Sequence, residues 1–211
     1  MPPHERLILF TRYPEPGTTK TRLVPLLGPE GAAALQRRMT AHAMSVARPL
    51  IRARGLELEV RYEGGGSRLM REWLGDAAVY RRQGAGNIGR RMARAFRQAL
   101  DQGCEAVVLV GSDIPGISAT LLASAFQRLG DDRVVLGPAA DGGYYLIGLT
   151  RRGLRRAGGA LFEDMAWGTS GVLAESCRRL KGLGLGVEVL EVLADVDRPE
   201  DLPVWERHAQ R

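Results

Sequence analysis

Acidic residues placed directly after apolar runs are where this sequence could do chemistry. In open α/β sheets, ligands bind beyond the carboxyl ends of the strands. Asp113 follows the apolar run 106–110, Asp141 follows the run 133–137, and Asp195 and Asp197 follow the last apolar stretch. Carboxylates from two strand ends can share a hard cation, since Mg²⁺ takes one or two protein carboxylates together with phosphate oxygens and water. The same residues have a plainer reading, in which Asp113 closes a turn and Asp197 caps a helix that Pro199 opens. Spacing alone does not separate the two.

The segment Thr11-Arg12-Tyr13-Pro14-Glu15-Pro16-Gly17-Thr18-Thr19-Lys20-Thr21-Arg22-Leu23 concentrates cations after the first apolar run. Of 30 basic residues only Lys20 and Lys181 are lysine, leaving 28 arginines, so a lysine here is informative. Lys20 is a mobile point charge suited to a phosphate, and Arg12 and Arg22 can bind phosphate oxygens bidentately. The alternative is a solvated basic loop. The segment lacks the first glycine and the four-residue spacer of a Walker A loop, which excludes that cradle.

Two patterns point to other chemistries. Residues 84–89, Gly-Ala-Gly-Asn-Ile-Gly, fit G-x-G-x-x-G, and Asp113 lies 24 positions past the last glycine, as in an NAD(P)-dependent oxidoreductase. The match sits mid-chain behind Arg81 and Arg82, which favours a glycine-rich helix entrance over a dinucleotide site. Arg81, Arg82, Arg90, Arg91, Arg94 and Arg97 lie in a stretch without acidic residues, as nucleic-acid binders require. Aromatic stacking platforms are nearly missing there, so nucleic acid is not expected as a partner. His4, His42 and His208 are isolated, and covalent Ser or Cys catalysis finds no support.

The elements that must position these residues follow from periodicity. Residues 6–10 read as a first strand, and 11–29 as a long loop, a kind usually functional inside compact chains. An alanine-rich helix follows over 30–54, with a bend expected before Pro49. Residues 56–62 alternate apolar and charged, as a half-exposed strand does. A short helix capped by Ser67 runs to Leu74, and 77–82 is a strand. Ile88, Met92, Ala95, Phe96, Ala99 and Leu100 recur at helical spacing. Residues 106–110 are apolar throughout, like a central parallel strand. Ser118 caps a helix to Leu129, and strands at 133–137 and 144–149 flank the turn Asp141-Gly142-Gly143. Beyond Arg156 an irregular stretch is expected, then a helix near 170–183, a strand at 187–193 and a terminal helix. This alternation predicts an α/β fold with a mostly parallel, mixed central sheet, and residues 1–211 read as one domain.

Composition narrows the classes. With 211 residues, 45% of them apolar, the chain can bury a core of ordinary size. A net charge of +6 suits an anionic ligand, and 27 glycines favour close backbone approaches. No apolar run is long enough for a membrane span or a secretory leader. Cys104 and Cys177, 73 positions apart, indicate neither a disulfide framework nor a zinc knuckle, so a cytoplasmic location is expected.

Six ordered stretches resemble the DUF2064 family: the segment from Tyr13 to Leu23 quoted above, residues 83–92, Gly111-Ser112-Asp113-Ile114-Pro115, residues 137–149, Trp167-Gly168-Thr169, and Asp195-Val196-Asp197-Arg198-Pro199-Glu200-Asp201-Leu202. The resemblance spans nearly the whole chain. That family is placed in the nucleotide-diphospho-sugar transferase superfamily, and some members are described as arsenosugar-biosynthesis glycosyltransferases. More distantly the chain is similar to nucleotidyltransferases of the molybdenum-cofactor and phospholactate guanylyltransferase type, which share the Lys-Thr-Arg-Leu loop or the Asp-x-Pro turn. The resemblance implies a GT-A, Rossmann-like three-layer fold, with Asp113 and Asp197 as ligands of Mg²⁺ or Mn²⁺. It places Lys20 and Arg22 at phosphates, and Asp141, Gly142, Gly143 and Tyr144 on the sugar or acceptor side. Asp141 would orient or deprotonate an acceptor hydroxyl. Gly86, Trp167 and Thr169 fall in its substrate-binding stretches, and Asn87 stands where relatives often carry Asp.

The expected activity is a metal-dependent transferase using a nucleotide-activated donor, foremost a glycosyltransferase passing a sugar from a nucleotide-diphospho-sugar to a small acceptor. The alternative is a nucleotidyltransferase joining an NTP to a phosphorylated small molecule with release of pyrophosphate; an oxidoreductase ranks third. Asp113, Asp141 and Lys20 are the expected catalytic residues. The expected partners are a nucleotide or nucleotide sugar and a small-molecule acceptor.

Overall fold

Every position of the run Ala-Val-Val-Leu-Val is apolar because both faces of its strand are covered. A computed structural model describes residues 4–209. In chain order it contains β1 (Glu5–Arg12), α1 (Val24–Arg54), β2 (Glu57–Glu63), α2 (Ser67–Leu74), β3 (Val79–Arg82), α3 (Ile88–Asp101) and β4 (Ala106–Gly111). There follow α4 (Ala119–Arg128), β5 (Arg133–Pro138), β6 (Tyr144–Thr150), α5 (Arg151–Phe162), α6 (Val172–Gly182), β7 (Gly186–Val189) and α7 (Leu202–Ala209). The strands form one sheet in the order β3-β2-β1-β4-β6-β5-β7. Only β6 is reversed, pairing antiparallel with both β4 and β5. This is the expected α/β, mostly parallel, mixed architecture.

Helices cover both faces. On one, Leu7, Leu9, Val108 and Val110 pack against α1 and α4 through Met44, Leu50, Leu122 and Phe126. On the other, Ile8, Phe10, Val107 and Leu109 meet Met92 and Phe96 of α3 and Leu161 and Phe162 of α5. A smaller cluster of Leu23, Leu35, Met39, Val196 and Trp205 ties the start of α1 to the C-terminal segment.

Four expectations are corrected. The irregular stretch expected beyond Arg156 begins only after Phe162 and runs to α6: residues 157–162 complete α5, where burial of Ala157, Leu161 and Phe162 overrides the low helix propensity of Gly153, Gly158 and Gly159. The loop after β1 is shorter than expected, because a 3₁₀ turn (Thr21–Leu23) leads directly into α1 at Val24. The break in α1 falls at Gly28 (φ 70°), ahead of Pro29, while helical dihedrals run on through Pro49. The strand expected at 187–193 pairs with β5 only over Gly186–Val189.

The largest departure concerns β2. Its alternation is real, but its charged face is buried rather than exposed. Glu59 and Arg61 are 0% and 1% exposed and form an ion pair. Arg6 of β1, itself buried, donates from Nη1 to Glu59 Oε2 at 2.8 Å and to Gln102 Oε1 at 2.8 Å, and from Nε to Glu57 Oε2 at 2.9 Å. Burial lowers the Arg61 pKa, against the opposing pull of Glu59. One face of β1 and β2 therefore rests on a buried ionic layer instead of an apolar one, with Glu57 and Arg81 at its partly exposed rim.

Candidate active site

Because β1, β2, β3 and β4 run parallel, their carboxyl ends open on one edge of the sheet. The residues that follow them line a cavity of about 520 Å³, within the usual range for small-molecule sites. Five of the expected residues are on its wall: Arg12, Lys20, Arg22, Asp113 and Asp197.

Local chemistry delivers each of them. Arg12 Nη1 donates to Thr18 O (3.0 Å) and Thr19 Oγ1 donates to Tyr13 O (2.8 Å), folding the loop after β1 back on itself. The loop ends with Lys20 in the left-handed region at φ 50°. This turns its side chain inward, where it is 6% exposed. Lys20 Nζ donates to Val196 O (2.6 Å) and to Asp113 Oδ2 (3.3 Å), and lies 3.6 Å from Asp197 Oδ1. Arg22 donates to the other Asp197 oxygen. Val196 is anchored by burial beside Trp205 and by its amide, which donates to Asp113 O (3.0 Å). Asp201 Oδ2 accepts from the amides of Asp197 and Arg198, fixing the turn. Two acids 84 positions apart thus meet around one ammonium.

Beneath them lies a buried polar cluster. Gln36 Nε2 of α1 is within 3.2 Å of the Thr11, Thr40 and Ser112 hydroxyls, and Ser112 Oγ donates to Thr11 Oγ1 at 3.0 Å. Satisfied networks of this kind stiffen the strand ends that carry the site.

The donor set suits a hard divalent cation. Asp113 and Asp197 offer carboxylate oxygens with side chains 41% and 34% exposed. Burial, followed by the charge of Asp113, pushes the nearby Asp195 carboxyl up to about 6, with Asp141 adding to the effect. Between its ordinary value of 3.8 and about 6, Asp195 keeps a proton in the folded chain that the unfolded chain has released. Its contribution therefore favours folding at the acid end and is lost as pH rises through that window. Asp195→Asn is expected to stabilise the metal-free protein at pH 7 by about 1–2 kcal/mol. Urea unfolding at pH 4 and pH 7 measures this, and equal gains at both pH values would contradict it.

The other expected residues stand apart from this cavity. Asp141 Oδ1 accepts from the Gly143 amide (2.9 Å) and shapes its own turn. Asn87 caps α3, its Oδ1 accepting from the Arg90 amide (2.9 Å), and Gly86 precedes it at φ 106°. Thr169 Oγ1 donates to Ala166 O. Tyr144 and Trp167 meet edge to face, 6.1 Å between ring centroids, and their OH and Nε1 groups are buried without partners. The Trp167 ring closes on Gly89, leaving no room there for a Cβ.

Gly142 carries the tightest constraint. Its φ is 90°, and a Cβ would stand 2.6 Å from Ser170 Cα and closer still to the Ser170 carbonyl oxygen. Gly142→Ala is expected to cost about 2–3 kcal/mol and to displace the segment bearing Trp167. Chemical denaturation with tryptophan fluorescence reads both effects.

Part of the arginine-rich stretch and the glycine pattern have structural uses. Arg91 Nη1 donates to Glu63 Oε2 (2.9 Å), Arg94 Nη1 to Gln83 O (2.7 Å), and Arg82 Nη2 to Gly65 O (2.8 Å). These cations serve the fold. Against Gly84 and Gly86 lie the side chains of Arg94 and Arg90, where a pyrophosphate would need open space. A second, larger cavity of about 1010 Å³ lies between α3 and α5, lined by Arg90, Arg97 and Phe162 among others. It is larger but holds no convergence of strand-end acids, so the first cavity is the better site.

Glu63, Gln83, Gln36 and Ile88 also line the first cavity and were not foreseen. The rule that singled out Asp113 applies equally to Glu63, the last residue of β2; its place in an alternating strand disguised it as a surface charge.

Comparison with known proteins bears on the family and the fold. The sequence profile of a family described as an uncharacterized protein conserved in bacteria, DUF2064, matches residues 46–169. A crystal structure from Desulfovibrio desulfuricans G20, provisionally assigned as a nucleotide-diphospho-sugar transferase, is similar over 98% of this chain and 88% of its own, with 31% identity and a TM-score of 0.86. A nucleotidyl transferase from Methanothermobacter thermautotroptrophicus shares the fold at 15% identity, covering 98% of each chain with a TM-score of 0.66. So does 2-C-methyl-D-erythritol 4-phosphate cytidylyltransferase from Thermus thermophilus, at 19% identity and a TM-score of 0.57, covering 98% of this chain and all of the other. No curated protein matches by sequence. Among the described residues no helix is long and apolar enough to cross a membrane.

Proposed function

The chain belongs to the DUF2064 family and is a nucleotide-using transferase of GT-A fold, and we propose that it is a glycosyltransferase that needs Mg²⁺ or Mn²⁺ and takes a sugar from a nucleotide-diphospho-sugar. The observation that carries this reading is the meeting of Lys20, Asp113 and Asp197 at the carboxyl ends of β1 and β4. Asp113 and Asp197 would hold the ion, which supplies charge neutralisation at the diphosphate leaving group. Lys20 and Arg22 bind the phosphate oxygens and are preorganised for the charge that develops as the glycosidic bond breaks. Asp141 lies outside the cavity wall but near enough to Asp195 to raise its pKa, as Asp113 does, and from there would orient the acceptor hydroxyl.

The fold likeness to the Methanothermobacter nucleotidyl transferase supports a second reading, transfer of a nucleotide to a phosphorylated acceptor. Product analysis distinguishes them: nucleoside diphosphate appears from a nucleotide sugar in the first case, pyrophosphate from an NTP in the second.

A thermal-shift panel of nucleotides and nucleotide sugars, with and without Mg²⁺ or Mn²⁺, tests the common part. At 100 times Kd a ligand of the native state adds about 2.7 kcal/mol, several degrees of melting temperature for a chain of this length. The expected result is a shift that requires both components. A panel without any shift would overturn the assignment.

A further inference from the structure

Among the described residues, one imidazole, one carboxylate and one thiol meet at the amino ends of β1, β2 and β4, and we propose that these groups, of His4, Glu57 and Cys104, bind a Zn²⁺ ion. The parallel strands bring them together. His4 directly precedes β1, Glu57 opens β2, and Cys104 lies two positions before β4. Each backbone is held in place: Glu105 N donates to His4 O (2.8 Å), Cys104 N donates to Ala99 O (3.2 Å), and Glu57 pairs in register with Arg6. At about 3.3 Å per residue, the eight residues of β1 set this cluster roughly 25 Å from the cavity that Asp113 and Asp197 line, so neither site depends on the other. His4 is isolated along the chain but not in space.

The donor set selects the ion. Imidazole nitrogen, carboxylate oxygen and thiolate sulfur are the ligands Zn²⁺ takes, whereas Mg²⁺ and Mn²⁺ suit sets of oxygens such as the pair in the cavity. The three ligand atoms all lie within 4.8 Å of one another. With Zn–N and Zn–O of about 2.0 Å and Zn–S of about 2.3 Å, tetrahedral ligands stand about 3.3–3.6 Å apart, so closing on the ion asks for movements of about 1 Å. His4 Nε2 and Glu57 Oε2 already have that spacing, at 3.3 Å. Cys104 is fully buried, while the half-exposed His4 and the partly exposed Glu57 give the ion a way in and leave its fourth position to water. Arg6 donates to Glu57 Oε2 from Nε (2.9 Å) and from Nη2, the support that a ligating carboxylate commonly receives from its neighbours. The same guanidinium is balanced by Glu59 (2.8 Å), so its charge is not turned bare toward the ion. Burial pushes the Cys104 thiol up, and its proton passes to solvent as the S–Zn bond forms. The bound ion staples the start of β1 to β2 and to the turn between α3 and β4.

Titration of the untagged full chain with Co²⁺, an optical stand-in for Zn²⁺, tests this. A sulfur-to-cobalt charge-transfer band reports thiolate ligation, and the site of Asp113 and Asp197 has no sulfur to produce one. Co²⁺ is expected to raise the band, and Zn²⁺ to abolish it by displacement. The band is expected to persist in Asp113→Ala and Cys177→Ser and to vanish in Cys104→Ala. His4→Ala changes a half-exposed side chain and leaves the core alone, so it decides the matter even where Cys104→Ala does not fold. It is expected to weaken Co²⁺ binding at least about tenfold, the lower end of what losing even a supporting residue costs a metal site. Zn²⁺ is expected to raise the melting temperature of the unaltered chain and to do so less in His4→Ala. A band that never appears, that survives Cys104→Ala or that is lost in Cys177→Ser overturns the site, as does an affinity unchanged in His4→Ala.

Discussion

Asp113→Ala is expected to lower the transfer rate by about 10²–10³-fold and to abolish the dependence of nucleotide binding on Mg²⁺ or Mn²⁺, with the fold intact. The side chain is 41% exposed and has Lys20 as its hydrogen-bond partner. Its loss does not strand that ammonium, which keeps Val196 O and Asp197. The backbone bond from Val196 to the Asp113 carbonyl also survives the substitution. Stability should thus change little while binding and rate collapse. Calorimetry against a nucleotide with and without the metal, beside a melting curve, separates the two. Unchanged metal-dependent affinity would remove Asp113 from the site.

Glu59→Ala is expected to do the reverse, costing about 3–5 kcal/mol of stability without touching the cavity. For a chain of this length that is a fall of about 10 °C in melting temperature. Glu59 is fully buried and accepts from both Arg6 and Arg61, so its removal leaves two buried guanidiniums with too little negative charge. The contrast is Glu72→Ala, which deletes an exposed pair with Arg68 four residues away and should change stability by less than about 0.5 kcal/mol. A loss below about 1 kcal/mol for Glu59→Ala would mean that the ionic layer is solvated.

What was legible in the sequence follows from these two cases. Asp113 could be singled out because it stands just past an apolar strand, and Lys20 because lysine is rare in this chain, while for Asp113 and Asp197 alike spacing left a turn or a helix cap open. The parallel sheet was legible because central strands are apolar throughout. Period-two alternation says which side chains share a face, not whether that face is wet, and so the buried charges of β2 were read as exposed. Gly153, Gly158 and Gly159 hid α5, whose stability comes from packing against α3 rather than from propensity. The placement of Asn87 was legible, but its use as a helix cap competes with any role toward a ligand.

One consequence follows from where the Lys20 ammonium rests. Held between two carboxylates, it acts as an internal counter-ion, and the cleft on its own is close to electrically balanced. A divalent cation arriving alone meets that ammonium, and a diphosphate arriving alone meets the carboxylates. When both arrive, the lysine can trade acids for phosphate while the acids trade lysine for the cation, so each guest raises the affinity for the other, by the same factor in both directions.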